Sequence, residues 1–250
     1  MFVRHIIQTM YNNPIIKSAT SYNNKIITCV ADYLQAILSL EYNNNTILFR
    51  GQSDKDYKLV PSIGRKNPDG SYLYNIYDEE KIFLEFKKRY HSYTDNRPTT
   101  DADLLFLAQH HELPTRLLDW SYNPLIALYF ACQSSDEKDG AVFTISIEGT
   151  NKDIKEGKYF MNHIFDKEKY PNDYVFLIPD DTHIRYIHQS GMFILFKNPQ
   201  TPIDSLEPSF LIQEKSKILK EMKLLGITDS FVIPNLDNLC KEIKNNHQNK

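Results

Sequence analysis

Residues 109–132 read QHHELPTRLLDWSYNPLIALYFAC and place a group of polar side chains directly before a continuous apolar run. The polar part holds two adjacent histidines, an arginine, an aspartate and the single tryptophan of the chain. Asn123 before Pro124 predicts a helix start, because asparagine caps free N–H groups and proline suits the first helical position. The run 124–133 is apolar on every side, which predicts a helix buried in the core. The stretch therefore indicates a groove for a polar ligand beside a buried helix.

The residues on either side of the histidine pair predict how that groove is built. Asp101 is expected to cap a helix that ends before Pro114, because proline disfavours a helical residue in front of it. Leu104, Ala108 and His111 follow the i, i+4, i+7 spacing, so His111 is expected to face inward. The positive end of the helix 124–133 is expected to point at residues 119–121, where free N–H groups would suit an anion.

Composition limits the class of protein. The chain has 250 residues, 41% hydrophobic and 24% charged, with a net charge of −3, which is ordinary for a globular protein and gives no general attraction to nucleic acid. It has no apolar run long enough to cross a membrane, and its N-terminus makes a poor signal peptide. Three widely spaced cysteines indicate reduced thiols, so a cytoplasmic location is expected. With only 8 glycines and no glycine-rich phosphate loop, classical dinucleotide folds and P-loop ATPases are disfavoured.

The hydrophobic pattern predicts an α+β protein with a single domain. Predicted helices cover residues 29–40, 78–93, 101–111, 124–133, 212–225 and 236–243. Predicted strands cover residues 46–50, 141–147, 174–178 and 192–196. We expect an N-terminal leader at 1–27, the domain at 28–244, a variable charged insertion at 148–172 and a frayed tail at 245–250.

Four blocks of this sequence resemble the FRG domain family, which is named for a Phe-Arg-Gly triplet. They are LFRGQSDKDYKLVPSIGR (48–65), LLFLAQHHELPTRLLDWSYNPLIALYFAC (104–132), IRYIHQSGMFILF (184–196) and ILKEMKLLGITDSFVIPNLDNL (218–239). The triplet here is Phe49-Arg50-Gly51, and the resemblance extends from about residue 30 to residue 243. One departure is Glu112, because the usual family residue after the histidine pair is glycine.

The resemblance implies a fold and a function. The resemblance implies a relation to ADP-ribosyltransferases, and with it a mixed or antiparallel sheet core flanked by helices. Its members are often found near bacterial anti-phage genes, which implies an effector in anti-phage defence or a toxin–antitoxin pair. NAD would be the substrate, a protein or nucleic acid the acceptor of ADP-ribose, and an antitoxin or defence protein the partner. ADP-ribosyltransferases place an arginine or histidine at the end of a first core strand to hold NAD, and Arg50 would fill that place.

Individual residues can be assigned roles on this basis. Arg50 at a strand end, followed by Gly51 and Gln52, suits a bidentate phosphate contact with close backbone approach. The alternative for Arg50 is a structural ion pair with Asp119 or Asp54. By the resemblance, Gln189 is the candidate that orients the reacting sugar carbon. The absence of a glutamate in that motif speaks against an enzyme, because an oxocarbenium-like centre is normally stabilised by a carboxylate.

The central stretch supplies the remaining candidates. His110 or His111 would act as a base, contact a ribose or bind a metal; His111 is taken as the catalytic one, and the spacing supports no metal site. Thr115, Arg116, Asp119 and Trp120 are expected to form the cleft wall. Asp119 would anchor a guanidinium, and Trp120 would stack on a ring or pack in the core.

Two other functions remain open from the sequence. The same groove would serve a non-catalytic module that binds a nucleotide or a nucleic-acid end. A metal-dependent nuclease would use His110, His111 and Asp119.

Overall fold

A computed structural model of the chain describes residues 16–40, 45–75, 77–95, 97–133, 137–147, 164–170, 172–178 and 189–248. The strands in these ranges are β1 (Lys25–Ile27), β2 (Thr46–Gln52), β3 (Leu117–Ser121), β4 (Gly140–Ile147), β5 (Tyr174–Leu177), β6 (Gly191–Phe196) and β7 (Phe210–Ile212). The α-helices are α1 (Val30–Leu38), α2 (Asp78–Arg89), α3 (Asp101–His110), α4 (Pro124–Ala131), α5 (Lys215–Leu224), α6 (Asp229–Val232) and α7 (Leu236–His247). The predicted α+β class and single domain are confirmed.

The strands form one mixed sheet in the order β1-β7-β4-β2-β3-β6-β5. Among the described strands, β1 and β7 pair in parallel and the other pairs are antiparallel. β2 lies in the middle and pairs with β4 along its whole length, whereas its pairing with β3 is registered at one position, Phe49 opposite Ser121. The backbone of β2 is therefore paired far more extensively with β4 than with β3.

Helices cover one face of the sheet, and irregular segments cover much of the other. On the helical face, α4 and α1 pack around Phe49, and α3 packs on Leu117 and Phe193. The opposite face presents Leu48, Trp120 and neighbours on β4 and β6, covered by residues such as Leu59, Ile203 and Leu206. The burial of apolar side chains on both faces makes the strands nearly continuous hydrophobic runs.

The helix starts follow local capping chemistry. The prediction for Asn123 is confirmed, since its side chain accepts a hydrogen bond from Leu125 N and Pro124 is the first helical residue. The start of α3 was placed one residue late. Thr100, not Asp101, is the cap, and it forms a capping box with Asp103. That box satisfies two N–H groups that a helix start otherwise leaves free.

Tertiary pairing changed the predicted elements near both ends of the chain. Ile212, the first residue of the predicted helix 212–225, is instead the last residue of β7, because β4 and β1 pair with residues 210–212 on both sides; the helix α5 begins at Lys215. β1 joins the sheet from within the predicted leader, and α7 continues to His247, into the predicted tail. The predicted insertion lies mostly outside the described residues, as do residues 1–15 and 184–188. Among the helices that the structure describes, none has both the length and the apolar character needed to cross a membrane.

Candidate functional site

Arg50 lies in the central strand with its charge only partly compensated. Its Nη1 donates a 2.6 Å hydrogen bond to the backbone oxygen of Asp119. The Asp119 carboxylate is farther away, with Oδ2 3.9 Å from Nη1, and its side chain is 59% exposed against 12% for Arg50. The buried Nε of Arg50 has no hydrogen-bond partner among the described residues. The ion pair expected as the alternative role of Arg50 is therefore long and open to solvent.

The electrostatics of Arg50 agree with this geometry. Burial lowers the pKa of Arg50 from 12.5 to about 10; Asp119 partly offsets this shift, and the nearby charge of Arg65 adds to it. The guanidinium is still cationic at neutral pH, so it holds a positive charge in a desolvated position. Such a position favours an anionic ligand, because the ligand would supply the negative charge and the hydrogen-bond acceptors that the described residues do not provide.

Two further side chains with N–H donors project from the same face of the sheet as Arg50. Gln52 follows Arg50 by two residues, and Trp120 lies opposite Arg50 when the register of Phe49 with Ser121 is continued by one pair. Gln52 Nε2 and Trp120 Nε1 are buried, and no partner for either is present in the described part of the chain. Because a buried N–H without an acceptor is costly, this face offers several unused donors beside a cation.

Trp120 itself packs in the core. Its side chain is 2% exposed and lies among Leu48, Leu118 and Met192. The expected stacking of its ring on a ligand is therefore wrong for this structure, since neither face is open. Its contribution to a site is limited to the indole N–H.

A short polar chain holds Asp119 from the helical face. Gln109 Nε2 donates to Asp119 Oδ1 at 2.8 Å, and Thr115 Oγ1 donates to Gln109 Oε1. Thr115 is buried, and its backbone N–H donates to Ser62 Oγ at 3.0 Å. Thr115 and Gln109 therefore fix the carboxylate beside Arg50, and Thr115 is placed to position that carboxylate rather than to line the cleft.

Gly51 has a packing role. A Cβ added at Gly51 would lie 1.8 Å from the backbone oxygen of Ala127 in α4. The glycine of the triplet is required because α4 crosses β2 at this distance, which excludes any side chain. The expected close approach of a ligand to Gly51 is therefore wrong: a helix occupies that side.

The two histidines separate at the end of α3. Their rings are 4.8 Å apart and nearly perpendicular. His111 is the C-terminal cap residue with ψ 27°, and its side chain is exposed and lines a groove with Phe86, Arg89 and Tyr93. The inward position predicted for His111 is wrong, because the chain leaves helical geometry there and the i+7 spacing no longer applies. His110 is half-buried.

The backbone conformation of Glu112 explains why FRG domains usually have glycine at this position. Its φ is +63°, in the left-handed region that a side chain disfavours. The side chain is exposed. Glu112 is therefore a strained turn residue at the end of α3, and the sequence carries the strain that glycine would avoid.

Arg116 has a structural partner that the sequence reading missed. It forms a bidentate pair with Glu79, Nε to Oε1 at 2.8 Å and Nη2 to Oε2 at 2.6 Å, and both side chains are buried. Its Nη1 donates to Ile164 O at 3.0 Å and to the Tyr170 hydroxyl at 3.2 Å. The expected role of Arg116 in the cleft wall is wrong, because its donors are engaged by the protein.

The environment of Arg116 keeps it charged. Burial opposes its charge, but the hydrogen bonds and the carboxylate of Glu79 outweigh this, so the pKa of Arg116 lies above its ordinary value. Burial also raises the pKa of Tyr170 to about 12, in spite of the neighbouring guanidinium. Spacing could have indicated that Glu79 is buried, because it stands four residues before Phe83 and eleven before Tyr90, on the apolar face of α2; it could not have indicated that Arg116 is the partner.

Gln189 lies near the strand ends, but its side chain is engaged elsewhere. Its Nε2 donates to Val232 O at 3.1 Å, and its backbone oxygen accepts from Ser121 Oγ at 2.6 Å. Ser121 Oγ also accepts from Asn123 N, so α4 begins with its cap groups bonded within the protein. The amide N–H of Gln189 that the expected catalytic role required is therefore bonded to Val232. The N–H groups at the start of α4 that the expected anion site required are likewise bonded within the protein.

The structure therefore brings Arg50 and Asp119 into contact, with Gln52 and Trp120 at neighbouring positions on the face of Arg50, and sets the other candidates apart. No three histidine, cysteine, aspartate or glutamate side chains of the described residues are grouped so that they could hold a metal ion.

Comparison with known proteins agrees with the blocks noted in the sequence. The family model of the FRG domain matches residues 45–140, which run from β2 through α4 to the first residue of β4 and include Arg50 and Asp119. No curated protein and no solved structure gives a significant match. Residues 45–140 therefore match the FRG domain, and the candidate site lies within this region.

Proposed function

We propose that this chain is an ADP-ribosyltransferase-like domain that holds the diphosphate of NAD on Arg50. The observation that carries the proposal is the buried guanidinium, whose Nε is unused and which has no buried counter-ion among the residues that the structure describes. A diphosphate supplies two or more acceptor oxygens and negative charge, which matches what Arg50 lacks. Gln52 Nε2 and Trp120 Nε1 are buried, so they would donate to the same oxygens only after a small movement of the side chains that cover them.

Asp119 is the carboxylate that we assign to the chemistry. Its Oδ1 is fixed by Gln109, whereas Oδ2 faces the region beside Arg50 and the side chain is open to solvent. In the proposed reaction the bond between nicotinamide and ribose breaks and nicotinamide leaves. An acceptor nucleophile then bonds to the same ribose carbon and gives up its proton. A carboxylate near that carbon would stabilise the positive charge that develops there.

The biological setting of the proposal comes from the resemblance to the FRG family. An NAD-consuming effector in anti-phage defence, or the toxin of a toxin–antitoxin pair, would transfer ADP-ribose to a protein or nucleic-acid acceptor. A partner protein would then control its activity.

The test compares purified variants for release of nicotinamide from NAD, with and without cell lysate as a source of acceptors. Arg50→Gln is expected to lower turnover and affinity for ADP-ribose at least ~30-fold, since loss of a charged contact in a desolvated site costs about 2–5 kcal/mol. Arg89→Gln is the matched control, because Arg89 is exposed and pairs with Glu85 one turn away. Wild-type turnover in Arg50→Gln would remove the assignment.

A second candidate is a nucleotide-binding module without chemistry. It is favoured by the Gln189 amide, which is bound to Val232 O, and by the absence of a buried carboxylate partner for Arg50 in the described chain. Asp119→Asn separates the two functions, because asparagine can still accept from Gln109. Lost turnover with retained binding of ADP-ribose supports the transferase, and calorimetric binding without nicotinamide release in the wild type supports the module. The described residues offer no metal-ligand group for the nuclease considered from the sequence.

A further inference from the structure

The C-terminal helix α7 packs against the protein with its polar face and exposes its apolar face. Asn238 Nδ2 donates to Ile233 O at 2.9 Å, and Glu242 accepts from Ser230 Oγ, so these two side chains form the inner face. Leu236, Leu239 and Ile243 are 72%, 45% and 51% exposed. No residue of α7 is buried. A helix that packs in this orientation leaves its apolar residues without a partner among the described residues.

The apolar residues of α7 form one continuous stripe. At about 100° per residue, Leu236, Leu239, Cys240 and Ile243 fall on one side of the helix, directed away from Asn238 and Glu242. The end of α5 lies next to it, because Lys223 Nζ contacts Asn246 Oδ1 at 2.6 Å. Leu224 and Leu225 at that end are also exposed. Exposed apolar side chains grouped on one face of a helix are typical of an interaction site.

We propose that α7 is the interface of a homodimer, in which it pairs antiparallel with α7 of a second copy. Two charged residues next to the stripe favour a second copy of this chain as the partner. Asp237 and Lys244 each follow a stripe residue by one position, after Leu236 and Ile243, and so lie on the same flank. When two copies pair antiparallel about an axis near Leu239 and Cys240, Asp237 of each copy meets Lys244 of the other. The stripe is likewise self-complementary, since Leu236 then faces Ile243.

The pairing has the symmetry that a two-fold dimer requires. In such an interface the same patch serves both copies, and each contact occurs twice. A single pair of twelve-residue helices is at the small end of specific interfaces, so a dissociation constant on the order of micromolar is expected.

The first experiment measures the mass of the full chain in solution over a range of concentrations around the micromolar level. The expected result is a shift from 29.3 kDa toward twice that mass as concentration rises. Leu239→Glu with Ile243→Glu is expected to remain at the monomer mass throughout, and its fold is expected to persist because both side chains are exposed. A wild-type chain that stays monomeric would overturn the proposal.

Charge reversal tests the antiparallel register. Asp237→Lys alone, or Lys244→Asp alone, places like charges opposite each other and is expected to weaken dimerisation by about tenfold or more. The double variant with both changes restores opposite charges and is expected to recover most of the affinity. Dimerisation that the single reversals leave unchanged would overturn this pairing.

Cys240 provides an independent readout at the proposed axis. A short bismaleimide is expected to link two wild-type chains through this exposed thiol, and Cys240→Ser is expected to abolish the product. Cys29→Ser is the matched control and is expected to leave crosslinking intact. Crosslinking that survives Cys240→Ser would contradict the geometry. Monomeric chains that bind anionic vesicles through the stripe would also overturn the proposal, because they would assign the stripe to a lipid surface.

Discussion

Arg50 and Arg116 are two largely buried arginines of one domain, but their surroundings are opposite. Arg116 has a buried carboxylate in bidentate contact and further acceptors for its remaining N–H groups. Arg50 has one backbone oxygen, a carboxylate at 3.9 Å and an unused Nε. The pKa values move in opposite directions, upward for Arg116 and down to about 10 for Arg50. The comparison indicates that a desolvated arginine is structural where the protein supplies its counter-ion and acceptors. It is available for a ligand where the protein does not supply them.

The largest effect is expected from Arg116→Met. Removing one member of a buried ion pair leaves Glu79 charged and unpaired, which typically costs 3–5 kcal/mol of unfolding free energy. We expect a loss of about 4 kcal/mol in denaturant unfolding, or a chain that does not fold.

A double variant checks the cause of that loss. Arg116→Met with Glu79→Leu removes both charges and is expected to recover most of the stability, because an apolar pair of similar volume is often neutral. If the double variant were as unstable as the single one, packing rather than charge would explain the loss, and the contrast with Arg50 would weaken.

Arg50→Met is expected to change stability in the other direction. A pKa lowered from 12.5 to about 10 corresponds to a cost of about 3 kcal/mol for the charged form, and the hydrogen bond to Asp119 O returns about 1 kcal/mol. We therefore expect a gain of about 1–2 kcal/mol in the unliganded chain, measured by denaturant unfolding.

Pyrophosphate adds a second readout for Arg50. The ligand is expected to raise the melting temperature of the wild type but not of Arg50→Met, since binding to the native state stabilises it. Arg50→Lys keeps the charge and serves as the control. A loss of more than about 1 kcal/mol in Arg50→Met would make Arg50 a structural residue of the same kind as Arg116.

The smallest effect concerns the turn between the histidines and β3. Glu112→Gly removes a side chain from a left-handed position and is expected to gain about 1 kcal/mol, or a few degrees in melting temperature. Glu112→Ala keeps the backbone strain and is expected to gain nothing. Equal gains in both variants would attribute the effect to the charge of Glu112 instead.

Several elements could be predicted because their causes are local. The start of α4 follows from Asn123 and Pro124, and the apolar residues after them dictate a core helix. Alternation over residues 141–147 and the apolar run at 192–196 predicted β4 and β6 nearly as they are. In contrast, Phe210–Ile212 continues an apolar pattern into α5, and only its pairing with β4 and β1 makes it a strand.

The candidate site divides in the same way. The sequence by itself determined the FRG domain, the placement of Arg50 near the end of a strand and the buried helix beside it, because these depend on residue types and short spacings. Only the tertiary structure decided which arginine has a counter-ion. Glu79 lies 37 positions from Arg116 along the chain, and no local pattern sets the distance between them. The tertiary placement of α2 sets that distance, whereas the carboxylate that the described residues bring to Arg50 is the exposed one of Asp119, at 3.9 Å.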